Sequence, residues 1–327
     1  MQARNTAAAL SSLGVTVDLL ETDRLPDLTA YDLIHLFNLY PIESTHAVWS
    51  AAVRAGKAIV LSTIYWDPGE FLSCCDHDGV RGTWWRETQH LRRQVLAGAD
   101  MIMPNTEAEL QSLRDSFGTL PPHRLVPNGV DGDLYRPAAV MGEGEDGVLC
   151  VGRISMRKNQ LGLLHALRGS GLPVKFVGPV NDFAYYRACR EAAWPGVRFC
   201  DTLGGRQLAR VYRSVKVHAL VSWYETPGLA SLEAAASGCA VVSTDRGGAR
   251  EYFGPEAWYC APDDPKGIRD TVLQALQAPR SRSLAELIRA RFNWKQAARE
   301  TLAGYTQVLA RTGASGTSGQ VNACWPR

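Results

Sequence analysis

The chain has 327 residues, 46% hydrophobic and 21% charged, with a formal net charge of +2. That length accommodates two domains with full cores, the composition is that of an ordinary soluble globular protein, and the near-balanced charge gives no reason to invoke nucleic acid. The eight cysteines form no C-x-x-C pair and read as reduced core thiols of a cytoplasmic protein, and no stretch reads as a signal peptide or reaches the about 18 apolar residues of a membrane span.

The opening "MQARNTAAALSSLG" reads as a helix. Strands are predicted at "VTVDLL" (15–20), "DLIHLF" (32–37), "AIVLST" (58–63), "ADMIMP" (99–104) and "RLVPN" (124–128). The segment "DGDLYRPAAVMGEGEDG" (131–147) is acidic, carries Pro and Gly and lacks apolar periodicity, so it reads as the seam between two blocks. Its "GEGEDG" (142–147) matches G-x-G-x-x-G but precedes a strand instead of following one. Its three carboxylates would also repel a pyrophosphate, so it reads as linker. Further strands are predicted at "GVLCVG" (147–152), "PVKFVG" (173–178), "VRFC" (197–200), "VHALVS" (217–222), "AVVST" (240–244) and "AWYC" (257–260). Helical segments fall between nearly all of these runs, which predicts parallel sheets built from βαβ units. The final "TGASGTSGQVNACWPR" is Gly/Ser-rich and reads as a disordered tail over 312–327.

Chemistry concentrates in the second block. In "YETPGLASLEAAASG" (224–238), Pro227 and Gly228 break any preceding helix, so one starts near Leu229 and runs to Ser237, with Gly238 as its stop. Glu233 falls on the arc shared by Leu229, Leu232 and Ala236, the face turned to the core. A carboxylate there is costly without a partner, and it reads as a buried salt bridge, as a Glu favoured by the helix dipole near the N-terminus, or as a ligand contact. The amides of Gly228, Leu229 and Ala230 form an anion site, and Glu225 precedes it. "RISMRKNQ" places Arg153 and Lys158 just after the strand "GVLCVG", and "TDRGGARE" brings Gly247 and Gly248. The strand ends of an open α/β sheet are where ligands bind. "DHD" (76–78) reads as an ordinary loop, and no metal site is expected.

The series "GR…RKN", E-x7-E and "GG..E", with "VPNGVD" (126–131) before the seam, resembles retaining glycosyltransferases of the GT-B fold, family 4. The resemblance covers nearly the whole chain and is strongest from about 120 to 310. It implies two Rossmann-like α/β domains with parallel sheets facing across a cleft: residues 1–140 on the acceptor side and 141–293 binding the donor. "FNWKQAARETLAGYTQVL" (292–309) resembles the closing helix, assigned to 294–311, that crosses back to the first domain. By the same resemblance Arg153 and Lys158 neutralise the diphosphate of a UDP- or GDP-sugar, Glu225 holds hydroxyls of the transferred sugar and Glu233 takes the ribose hydroxyls. The amides of Gly228, Leu229 and Ala230 meet the phosphate, and Gly247 and Gly248 allow close backbone approach. The implied reaction is metal- and cofactor-independent transfer to an acceptor hydroxyl, with retention, in polysaccharide or glycoconjugate synthesis. A glycan or lipid-linked acceptor is implied.

Three features depart from the pattern. Tyr65, in "STIYWDP" (62–68), stands nearest to a His the family often carries, and Thr226, Pro227 and Ala230 replace the usual Gly, Phe and Pro. The family also opens with a strand and a Gly-Gly loop, whereas this chain begins at the following helix. Met1 is therefore expected not to be the natural beginning. In the first domain Trp84, Trp85, Arg86, Arg92 and Arg93 are candidates for an acceptor site or for peripheral contact with the inner face of a membrane, and equally read as a packed helix with a solvated basic face. Two rival readings stand beside the transferase: an epimerase or phosphorylase on the same fold, and a degenerate, non-catalytic binding partner.

Overall fold

The computed structural model describes residues 2–20, 25–139, 145–279, 281–312 and 322–326. The chain divides into two compact units, Met1–Asn128 with Trp294–Arg327, and Gly129–Asn293. As the sequence predicts, both are α/β with parallel sheets, the two-domain composition of the GT-B fold.

The first unit opens with α1 (Gln2–Ser11) and β1 (Thr16–Leu20), followed by β2 (Leu33–Phe37), α2 (Ile42–Arg54) and β3 (Ala58–Ser62). Three helices follow, α3 (Gly69–Cys75), α4 (Val80–Glu87) and α5 (Gln89–Ala97), then the two-residue β4 (Met101–Ile102) and α6 (Glu107–Phe117). Strands covered on both faces read as continuous apolar runs, and β2 and β3 do. Ile34, Leu36, Ile59 and Leu61 pack on one face with Val48, Val95 and Leu110. Leu33 and Val60 point the other way, onto Leu10. The predicted strand at 124–128 does not form. Arg124 and Val126 donate their amides to the carbonyls of Ile102 and Pro104 instead, and the flanking Pro122 and Pro127 have no N–H to extend a ladder.

The second unit runs β5 (Glu145–Val151), α7 (Gln160–Leu167), β6 (Val174–Val177), α8 (Phe183–Ala192), β7 (Val197–Cys200), α9 (Gly205–Ser214) and β8 (Val215–Leu220). It continues with α10 (Leu229–Ala236), β9 (Ala240–Thr244), α11 (Ala249–Phe253), β10 (Trp258–Cys260), α12 (Pro265–Gln277) and α13 (Ser283–Arg291). The strand order is β10-β9-β8-β5-β6-β7, with every pairing parallel. The chain lays β6 on one side of β5 and β9 on the far side of β8, so the connections that leave β5 and β8 run in opposite directions and open a crevice at a switch point. That opening is where such sheets hold ligands.

The structural division falls at Gly129, earlier than the 140/141 boundary read from composition. Val130 donates its amide to Phe292 O, and Leu134 and Tyr135 pack into the second core, so this stretch of the seam is part of that unit. Of the "GEGEDG" linker, residues 142–144 lie outside the described residues, and β5 starts at Glu145.

The chain then returns to the first unit through α14 (Trp294–Thr312). Its Ala297, Ala298, Tyr305 and Val308 pack with Leu33, Val60 and Met101. The Tyr305 hydroxyl lies 2.7 Å from Nδ1 of the buried His35. The crossing helix expected from the sequence is present.

The expectation of a disordered tail is corrected for its last residues: Asn322–Pro326 form β11, which lies between β1 and β2, parallel to both. The sheet order is β1-β11-β2-β3-β4. Thr16 stands opposite Asn322, and Leu33 opposite Ala323. Without β11, two strands in the middle of the sheet would carry unpaired backbone N–H and C=O groups, which folded chains avoid. Composition reports only the local preference of this segment, and the vacant ladder overrides it. Residues 313–321 lie outside the described residues.

Candidate active site

The loop after β5 forms one wall. It passes Arg153 and a short turn at Met156–Lys158, and Asn159 starts α7 in the left-handed region at φ 56°. The buried Asn159 carboxamide donates to Val221 O at 3.1 Å and Pro262 O at 2.8 Å, tying this loop to the end of β8. Trp223 N donates to Arg157 O at 3.0 Å, and Arg157 Nη1 donates to Tyr224 O at 3.2 Å. The loops after β5 and β8 are therefore stitched together through backbone atoms. This fixes the cations of one against the carboxylate of the other.

That carboxylate is Glu225. It is buried and accepts a charge-assisted bond from Lys158 Nζ. Burial alone would raise its pKa, but Lys158 and then Arg157 outweigh burial and hold it below the usual carboxylate range. Its backbone is clamped as well. Gly248 N donates to Glu225 O at 2.9 Å, and a Cβ on Gly247, at φ 91°, would lie 2.4 Å from that oxygen. A Cβ on Gly228, at φ 85°, would lie 2.8 Å from Glu225 Oε2. Both positions therefore require glycine.

Helix α10 begins at Leu229 and ends before Gly238, within a residue of the boundaries read from sequence. Ser231 and Leu232 already donate to Gly228 O, while Leu229 and Ala230 lie too early in the helix for an intrahelical carbonyl. Their amides, with the helix dipole, form an anion site beside Glu225 and Lys158. Arg153 is exposed on the neighbouring loop.

Glu233 lies one turn into the helix and is buried, as its arc predicts. Tyr212 donates its hydroxyl to Glu233 Oε2 at 3.3 Å, and Tyr135 supplies a second phenol. Burial raises the Glu233 pKa to about 7. Among the described residues no Lys or Arg pairs with it, so the buried-cation alternative for Glu233 does not hold. The buried ion pair of this site belongs to Glu225.

The profile of the family described as "Glycosyl transferases group 1" matches residues 133–300, more than half of the chain. The chain belongs to that family. The glycogen synthase of Mycobacterium tuberculosis is 26% identical to this group 1 chain over 246 residues, 70% of this chain and 59% of that protein. The D-inositol 3-phosphate glycosyltransferase of Frankia alni is 32% identical over 248 residues, 66% of this chain and 61% of that one. The chain thus spans about six tenths of these relatives' lengths. Among solved structures, sucrose-phosphate synthase from Thermosynechococcus elongatus superposes with a TM-score of 0.75 at 21% identity, covering 86% of this chain and 75% of that one. Anabaena HepE, solved with UDP-glucose, superposes with a TM-score of 0.69 at 16% identity, covering 92% and 80–82% of the two chains. These likenesses establish the fold.

Every donor-site residue read from the sequence of this group 1 chain lies in the second unit, on the loops after β5, β8 and β9 or on α10. Sequence reasoning missed Arg157, Asn159, Tyr135 and Tyr212. Arg157 and Asn159 adjoin Lys158 and were visible in "RKN". Tyr135 sat in the segment read as the seam between the two blocks, and no local motif marks Tyr212. Beside Arg153 lies a cavity of about 330 Å³, lined by Ile154, Gly178, Pro179, Phe183 and Asp201 among others.

Two readings for the first unit are corrected. Tyr65 is not presented to a ligand: it is buried, its hydroxyl donates to Ser116 Oγ at 2.9 Å, and burial pushes its pKa up to about 12. Within the Trp/Arg segment Arg86 and Arg93 are exposed, whereas Arg92 and Trp85 are not available to an acceptor or a membrane. Arg92 is fully buried, with its guanidinium 3.7 Å from the Trp85 ring centroid and 5.0 Å from that of Trp84. Trp85 is buried too, so Arg92 and Trp85 serve packing. No helix among the described residues is long and apolar enough to cross a membrane.

Proposed function

We propose that the protein transfers a sugar from a nucleoside-diphosphate sugar to an acceptor hydroxyl, with the anomeric configuration retained as the sequence resemblance implies. The observation that carries this reading is the meeting of the Lys158–Glu225 pair with the N-terminus of α10 at the switch point of the second sheet. An ionised carboxylate beside an anion site suits a ligand carrying hydroxyls and phosphates together. Lys158 uses one N–H on Glu225 and retains two for a phosphate oxygen, and Arg153 is exposed on the same loop. In the reaction, charge grows on the departing diphosphate as the glycosidic bond loosens. Lys158 and the α10 amides, already held in place by the fold, stabilise that charge without reorganising, and the exposed Arg153 adds its charge from the same loop. Glu225, kept ionised by Lys158, accepts hydrogen bonds from sugar hydroxyls. Glu233 accepts them from ribose, in addition to the phenols that already donate to it.

The acceptor in this reading is a glycan or a lipid-linked glycan, and the protein acts in the cytoplasm. The UDP-glucose complex of HepE makes UDP-sugars the first donors to test, ahead of GDP-sugars. Calorimetric titration with both nucleotides, followed by product analysis with the sugar nucleotides and an acceptor panel, tests the assignment. Binding of neither nucleotide would overturn it, and consumption of sugar nucleotide without any acceptor would point to an epimerase.

A further inference from the structure

Glu233 is held by residues that no donor contact requires. Three segments converge on its carboxylate: α10, which carries it; α9, which carries Tyr212; and the 129–139 stretch, which carries Tyr135. The two tyrosine rings meet edge to face, 6.0 Å between centroids and 70° between planes, and both are buried. Tyr212 is further wedged by the His218 ring at 5.8 Å, while Cys239 Sγ donates to its backbone carbonyl at 3.0 Å. Neither phenol can swing away without disrupting this packing.

We propose that Tyr135 and Tyr212 are positioning residues for Glu233: their phenols hold its carboxylate toward the nucleotide and supply the donors its ionised form needs inside an apolar wall. This rests on the reading of Glu233 as a ribose ligand. A buried carboxylate ionises only if something donates to it, and here burial dominates with no cation to offset it. The charged and titratable neighbours bear this out. From α9, Arg206 and Arg210 are exposed and Arg213 is half-buried, and none acts on Glu233. From α13, Arg289 Nε is spent on Gly132 O, and Glu286 and Arg291 are exposed. His218 on β8 is neutral, its pKa lowered to about 3 by burial, and β9 carries no charged side chain. Asp131 acts on Tyr135, not on Glu233. The two phenols are therefore the groups that favour the ionised form before a ligand arrives.

Ribose hydroxyls must donate to the ionised carboxylate, so nucleotide binding is expected to strengthen as pH rises through about 7, the Glu233 value. Removing a phenol removes a donor to the charged form, so that midpoint moves upward. The test titrates UDP and GDP into the full chain by calorimetry between pH 5.5 and 9, comparing wild type with Tyr135→Phe, Tyr212→Phe and Glu233→Gln. The phenylalanines keep the ring packing, and circular dichroism checks the fold. The expected result is a phenol-deleted affinity about tenfold weaker at pH 6 but only about twofold weaker at pH 9, with Glu233→Gln nearly flat across the range. A loss of equal size at every pH, or no loss in either phenylalanine variant, would assign the tyrosines to packing alone and overturn the proposal while leaving the donor site standing. Wild-type binding that ignores pH and matches Glu233→Gln would overturn the ribose role itself.

Discussion

Replacing Glu233 by Gln should make the unliganded protein more stable at alkaline pH while weakening its grip on nucleotide. Burial lifts the Glu233 pKa from 4.5 to about 7, so the folded state keeps a proton that the unfolded chain has already lost between those values. A carboxylate whose pKa is raised on folding costs stability as pH climbs through this window, and the loss is complete above the folded value. Each pKa unit is worth about 1.4 kcal/mol, so the full loss is at most about 3.5 kcal/mol, and relaxation around the charge will reduce it toward about 2. Gln has no proton to lose and keeps nearly the same shape. The two proteins should therefore be of nearly equal stability at pH 5, with the variant ahead by about 2 kcal/mol at pH 8.5. Scanning calorimetry at the two pH values reads this directly. A difference that does not change with pH, or a variant less stable at pH 8.5, would refute the account of Glu233 as a buried carboxylate with no cation to offset its burial. A group that costs stability when the site is empty is the signature expected of a ligand contact.

The two cations should separate in their effects. Arg153→Ala should leave the melting temperature unchanged, since the side chain is exposed, and weaken nucleoside-diphosphate binding by about 1.5–3 kcal/mol, read by titration calorimetry. Lys158→Ala leaves Glu225 buried without its cation and should cost about 3–5 kcal/mol of stability in denaturant unfolding. That loss should shrink as pH falls, because without Lys158 the buried Glu225 takes up a proton more readily than it does in the wild type. Gly247→Ala should destabilise the second unit by about 1–3 kcal/mol, because φ 91° is strained for alanine and its Cβ would meet Glu225 O. Ending the chain before Asn322 should open the middle of the first sheet, giving aggregation on size-exclusion chromatography. A monomer with an unchanged first-unit transition would count against a structural role for β11.

What the sequence determined by itself was the part governed by near neighbours. Apolar runs alternating with helical segments placed almost every strand within two residues. The Pro-Gly break and Gly238 bounded α10, and its 100° periodicity turned Glu233 inward. These signals are local because backbone hydrogen bonds in a helix and side-chain alternation in a strand span only a few residues. Tertiary structure alone decided the partners. Nothing in "QVNACWPR" announces that Asn322–Pro326 will pair with β1 and β2 across some three hundred residues of chain, since a ladder is completed by whichever strand reaches it. Lys158 and Glu225 both stood out as charged residues near a strand end, but their pairing needed the loops after β5 and β8 to meet. Arg92 and Tyr65 looked like surface and ligand contacts, yet each found its partner inside the first core. Tyr135 read as part of the seam until the 129–139 stretch was folded against α9. A residue's type states what bonds it can make, and the fold brings the other half of each bond within reach.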